Sequence, residues 1–296
     1  MRLKWFIIGS VITVTVIALF VGAVVSISGL LGEGPLVAGT GVGLVEVKGM
    51  ILDPQGVVKQ LHDFAKAENV KAVVLRIDSP GGVVGPSQEI YAEVRKLAAR
   101  KKVVVSMGSV AASGGYYIAA PATLIYANPG TITGSIGVLM KFSNMEGLMG
   151  KIGLRAFTIK TGKFKDVGSP ARPMTDEERA MLQGVIDSTH GQFVRAVSEG
   201  RRLPLERVKG IADGRIFSGE QALALKLVDR IGTLQDAVEE AGRLGGIKGE
   251  PEVIRPPKKK RVLLDYLMGE SSSRLGDLVR QERGFSLNYE LEGGGQ

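Results

Sequence analysis

Apolar and polar positions change rhythm several times along this 296-residue chain. Residues 5–31 carry no charge. A helix of that length extends about 40 Å at 1.5 Å per residue, more than a hydrocarbon core of about 30 Å, so it predicts one tilted transmembrane span. Arg2 and Lys4 precede it, which predicts a cytoplasmic N-terminus and places everything after Leu31 across the membrane. The run is longer than the apolar region of a signal peptide, and residues 23–25 and 26–28 make mediocre cleavage sequences, so a retained anchor is expected. A Gly/Pro-containing linker follows over 32–41.

From residue 42 the pattern becomes that of an α/β fold. Residues 42–51 alternate loosely as a strand, 54–69 read as an amphipathic helix, and 70–77 (VKAVVLRI) form an apolar strand. A helix over 87–99 and a strand over 103–106, breaking at Gly108, complete a strand–helix–strand rhythm. That rhythm predicts a parallel sheet with right-handed crossovers. Short strands are expected at 124–127, 133–140 and 154–160. Thr175 and Glu178 make a capping box that opens a helix reaching about residue 199. Short helices follow at 204–211 and 219–225, then a strand end and a last helix within 228–241. The pattern fades from Gly245, leaving 246–296 as a tail, flexible or docked on a neighbour, with one weak apolar helix over 262–268.

Two loops leave the carboxyl ends of neighbouring predicted strands, the edge where α/β folds place their sites. One is Asp78-Ser79-Pro80-Gly81-Gly82, and the other sets Ser113 in the turn Ala111-Ala112-Ser113-Gly114-Gly115 before an apolar helical stretch over 116–120. A serine on a tight bend at a helix start lies where backbone N–H groups stabilise a negative oxygen. Taken alone, the same residues also describe a Gly-rich turn selected for its backbone angles.

Composition narrows the chemistry. Cysteine is absent, which excludes a disulfide framework, a thiolate zinc site and a cysteine nucleophile. His62 and His190 are the two histidines. Both fall in polar amphipathic segments and read as surface residues, so neither a Ser–His–Asp triad nor a histidine-rich metal site is expected. A serine nucleophile therefore needs another base, and lysine is the obvious candidate, provided that it is neutral. Lys160, Lys163 and Lys165 stand together in one polar stretch. The formal net charge of +8 comes without basic stretches interleaved with aromatics, so nucleic acid is not an expected partner. The densest cluster, Lys258, Lys259, Lys260 and Arg261, reads as a solvated tail or as weak attraction to an anionic membrane surface.

The segments GSVAASGGYYIAA, ANPGTITGSIGV, KTGKFKDVGSPARPMTDEE and GRIFSGEQALALKLVD closely resemble the signal peptide peptidase (SppA) family of membrane-bound Ser–Lys peptidases. DSPGG resembles the matching loop there and in the related Clp protease and crotonase-like folds. The resemblance covers about residues 42–245 and matches the short, single-copy form of the family. It implies repeated ββα units over 42–245, preceded by an anchor at 1–31. It further implies Ser113 as nucleophile, Lys165 as general base, Ser135 as the residue positioning the lysine, and backbone N–H groups of Gly82 and Gly114 as the oxyanion hole. Gly82 would serve by letting the backbone approach the substrate carbonyl. Of the three lysines, only the family register selects Lys165; Asp78 and Asp166 read as structural residues. No metal, nucleotide or other cofactor is implied, and no Walker A sequence is present. The implied substrates are remnant signal peptides and similar apolar segments in the membrane. The implied assembly is a homo-oligomeric ring whose dyad is shared between adjacent subunits. Two rivals remain: a crotonase-like acyl-CoA enzyme, which would require a carboxylate acid/base in the pocket, and a peptide-binding membrane scaffold without activity.

Overall fold

The structure, a computed structural model, describes Thr15, residues 39–256 and the backbone of Asn288–Glu290. The expected anchor (apart from Thr15), the basic cluster at 258–261 and the weak helix at 262–268 lie outside the described residues. Among the described residues no helix is long and apolar enough to cross a membrane.

In chain order the elements are β1 (Gly41–Lys48), α1 (Gln55–Lys66), β2 (Val70–Ser79), β3 (Gly81–Val83), α2 (Val84–Ala98), β4 (Lys102–Ala112) and α3 (Gly114–Ala119). They continue as β5 (Leu124–Ala127), β6 (Ile132–Gly134), α4 (Glu146–Lys151), α5 (Asp176–Arg201), α6 (Leu205–Lys209), β7 (Ile216–Ser218) and α7 (Gly219–Ala224). The last are β8 (Arg230–Ile231), α8 (Leu234–Leu244), β9 (Glu252–Ile254) and β10 (Asn288–Glu290). The main sheet runs β7-β6-β4-β2-β1-β9, with β5 pairing β4 and β8. All of its pairings are parallel except β6–β7.

The apolar run in β2 is explained by its central place. Helices cover both faces of a parallel sheet, so its strands are apolar on both sides. Val73, Val74 and Leu75 are fully buried, each side chain contributing about 1.5–3 kcal/mol. On one face Phe64 of α1 lies against Gly43, where a Cβ would stand 2.7 Å from the ring. Helix α5 carries the expected capping box of Thr175 and Glu178. Its Phe193 meets Tyr117 of α3 edge-on at 4.9 Å, and Tyr117 packs on Tyr91 of α2 at 4.8 Å. The Tyr116 hydroxyl donates to the Leu227 carbonyl (2.9 Å), which ties the helix after Ser113 to the far side of the fold.

Several elements differ from the sequence expectation. The strand expected at 133–140 is confined to Ile132–Gly134, because the chain turns at positive φ at Gly134 and Ser135. Strand β4 does not break at Gly108 but continues to Ala112, because Asp78 fills the space beside it. A Cβ at Gly108 would lie 2.7 Å from the Asp78 carboxyl carbon, and Asp78 accepts from the Val110 N–H (3.1 Å). Residues 154–160 form no strand and pair with none among the described residues; Phe157 and Ile159 are 88% and 93% exposed. Conversely, β9 adds to β1 in a stretch where the periodicity had faded, since three residues are too few to display a period of two.

Candidate active site

The site grows from the ends of three strands. Beyond β2, Ser79 Oγ accepts from the Gly81 N–H (3.1 Å) and turns the chain into β3. Ile51 grips β3 from outside: its N–H donates to the Gly81 carbonyl (2.8 Å), and its carbonyl accepts from the Val83 N–H (2.9 Å). A Cβ on Gly82 would fall 2.3 Å from the Ile51 oxygen. The glycine is therefore required by a neighbouring backbone within the fold.

Strands β4 and β6 run parallel, with Ala112 opposite Gly134. Thr131 and Thr133 donate from β6 to the Gly108 and Ala111 carbonyls, both at 2.7 Å, and so lock the two strand ends in step. One residue further, Ser113 and Ser135 occupy the same step of this ladder. Ser113 donates its N–H to the Gly134 carbonyl and Ser135 to the Arg215 carbonyl, both at 2.8 Å. Both serines have positive φ, 53° and 51°, a conformation that costs a non-glycine residue of order 1–3 kcal/mol and is held by its surroundings. Both are buried. The Ser113 carbonyl accepts from the Tyr117 N–H (2.8 Å), which starts α3. A Cβ on Gly114 would lie 2.7 Å from Ser87 Oγ and 3.2 Å from the Gly82 nitrogen. Ser113, Ser135, Gly82 and Gly114 thus converge on one place. Over it, β10 pairs antiparallel with β3, Tyr289 in register with Gly82.

Lys165 is not brought to the serines within the chain. It is exposed on the loop after residue 160 and makes no hydrogen bond or ion pair among the described residues. Its neighbours differ: Lys160 pairs with Asp166 and Lys163 with Glu177. Asp166 also accepts from Arg172 (2.8 and 3.0 Å), and Arg172 donates to Glu178 (2.5 and 2.9 Å). Arg172 holds Glu178 well below the usual carboxylate range, at about 2, with the Thr175 N–H adding to the effect. Arg172, followed by Lys160, likewise holds Asp166 low. The sequence reading passed over this network. Its signal was the spacing of six between Asp166, Arg172 and Glu178, which means nothing until the loop is folded.

Of the histidines, His62 is on the surface with Glu93 (2.6 Å). His190 instead lines a cleft of about 420 Å³ with Ser135, Asp187 and Asp213. Its Nε2 is buried without a hydrogen-bond partner among the described residues, which corrects its reading as a surface residue.

A buried serine with positive φ thus stands at the carboxyl edge of a parallel sheet, next to Gly114, whose backbone packs closely on that of Gly82. Residues 49–129 match the model of the Clp protease family, and residues 95–248 match that of peptidase family S49. A protein of Synechocystis sp. is 47% identical over 219 residues, covering 72% of this chain and 79% of that protein. Protease 4 of Salmonella typhi is 40% identical over 190 residues, 64% of this chain but 31% of the relative. The chloroplastic serine protease SPPA of Arabidopsis thaliana is 31% identical over 237 residues, 79% of this chain and 35% of the relative. The chain belongs to peptidase family S49, the SppA family, and is a serine peptidase.

Proposed function

We propose that the protein is a membrane-anchored endopeptidase that cleaves remnant signal peptides and similar apolar segments with a dyad of Ser113 and Lys165. One observation carries the reading: Ser113 and Ser135 end paired strands side by side at positive φ, against Gly82 and Gly114. Ser113 Oγ attacks the scissile carbonyl and Lys165 takes its proton. The N–H groups of Gly82 and Gly114 stabilise the oxyanion, and the acyl-enzyme is then hydrolysed by water. Ser135 orients the lysine amine. A lysine can do this only when neutral. Lys165 suits the role because Lys160 and Lys163 are committed to carboxylates whereas it is not.

Lys165 stands apart from the serines, so the base comes from an adjacent copy in a ring. The exposed apolar side chains of the same excursion, Phe157 and Ile159 among them, are suited to that contact. Substrate adds to β3 as an antiparallel strand at the edge that β10 covers, a mode supported by β10. Residues 1–31 anchor the chain with its N-terminus in the cytoplasm, 32–41 link, 42–245 form the extracytoplasmic peptidase domain, whose sheet β9 extends, and the rest of 246–296 forms a tail, flexible or docking.

The test uses the full-length protein in detergent with a fluorogenic apolar peptide. Ser113→Ala and Lys165→Ala should each be inactive and Lys163→Ala active. A mixture of the two inactive variants, reassembled together, should regain turnover, because some interfaces then pair an intact serine with an intact lysine. Activity lost in Lys163→Ala and kept in Lys165→Ala would put the base at Lys163 instead.

A further inference from the structure

The loop carrying Lys165 holds a four-charge cluster whose balance bears on the lysine. Asp166 follows Lys165 directly in the chain, and an unpaired carboxylate there would favour the protonated amine, which is useless as a base. That carboxylate is instead claimed twice. Lys160 reaches it from its own loop, and Arg172 grips both of its oxygens (2.8 and 3.0 Å). The other side of the Arg172 guanidinium is held by both oxygens of Glu178 (2.5 and 2.9 Å), on the first turn of α5. Glu178 in turn accepts from the Thr175 N–H (2.9 Å). The chain Asp166–Arg172–Glu178 therefore staples the loop to the start of a long helix. The Asp166 and Glu178 side chains are 12% and 4% exposed, so this is no loose surface pairing. Two carboxylates and two cations make the cluster neutral. In the same stretch Lys163 and Glu177 neutralise one another, and Arg179 lines the same cleft as Arg172.

We propose that Arg172 is a positioning residue for Lys165: it binds and neutralises the neighbouring Asp166 carboxylate, leaving the lysine unpaired and able to give up its proton. The inference rests on Lys165 being the base. Removing Arg172 leaves the cluster with one net negative charge, centred on the residue that follows Lys165. Removing the Asp166 carboxylate leaves one net positive charge. Removing both restores neutrality. The rate should follow that order of charge.

The experiment measures kcat/KM for peptide hydrolysis against pH with the full-length protein. In Arg172→Gln the acidic limb should move up by about 0.5–1 pH unit, a roughly 3- to 10-fold loss at pH values below it, the exposed site being screened by salt. In Asp166→Asn it should move down. In the double variant Arg172→Gln/Asp166→Asn it should return to the wild-type position, and Arg172→Lys should keep much of it. A merely structural arginine would lower the rate by one factor at every pH, with the limb unmoved and no recovery in the double variant; that result overturns the proposal. If Arg172→Gln fails to fold, Asp166→Asn decides alone, and a limb that stays or moves up overturns it. Lys165→Ala separates the two levels. If that variant is active, the dyad reading falls and this inference with it; if it is inactive while the Arg172→Gln limb stays put, only this inference falls.

Discussion

Replacing Gly82 by alanine adds one methyl group where the backbone leaves no room for it. The new Cβ would stand 2.3 Å from the Ile51 oxygen and 2.5 Å from its nitrogen. In a close-packed interior the two segments must separate by about 1.1 Å to reach an ordinary contact of 3.4 Å. The obstacle is backbone, so no rotamer change relieves it, and the hydrogen bonds from Ile51 N–H to Gly81 and from Val83 N–H to Ile51 are strained together. Overpacking of this kind costs about 1–3 kcal/mol, which a domain stable by about 5–15 kcal/mol survives. The catalytic loss should be larger in proportion. A donor displaced by this much from a developing oxyanion costs about 100-fold in kcat, with KM little changed. The assay pairs urea denaturation with peptide hydrolysis by the full-length variant. Gly56→Ala on α1, where nothing lies within 4 Å of the new methyl, serves as the control and should leave activity intact. A Gly82→Ala protein with wild-type stability and a kcat within threefold of wild type would refute both the clash and the assignment of that amide to the oxyanion hole.

Three further outcomes follow from the same geometry. Gly200→Ala should lower stability by about 1–3 kcal/mol, read as the urea midpoint, because its Cβ would lie 2.3 Å from the Ala120 carbonyl oxygen where α5 crosses the end of α3. Acid should weaken the fold through Glu178 and Asp166. Both titrate in the folded protein below their ordinary values, Glu178 at about 2 rather than 4.5. Their stabilisation is therefore complete above the ordinary carboxylate range and lost as pH falls through it towards 2. The urea midpoint should drop between pH 6 and pH 3, and less so in Arg172→Gln. Truncation that removes residues 288–296 should raise kcat/KM on short peptides several-fold by uncovering the edge of β3; an unchanged value would mean that β10 does not compete with substrate.

Much of the architecture was legible because period and punctuation are local properties. The apolar run of β2, the capping box of Thr175 and Glu178 and the turn around Ser113 each announce themselves within a few residues. The strands at 252–254 and 288–290 were not legible, since three residues carry no measurable period, and partners far away in the chain define them. Residues 154–160 failed in the opposite sense: they have the composition of a strand but no edge to pair with among the described residues.

The sequence by itself determined the fold class, the family and the set of chemically eligible residues, because these depend on residue type and order. Only the tertiary structure decided that Ser113 and Ser135 share one step of a ladder at positive φ. It also decided that Gly82 answers to Ile51, and that Lys160 and Lys163 are ion-paired where Lys165 is not. These are facts of distance between segments that lie tens of residues apart. No local pattern encodes them, because pairing and close packing are settled only when the whole sheet has closed.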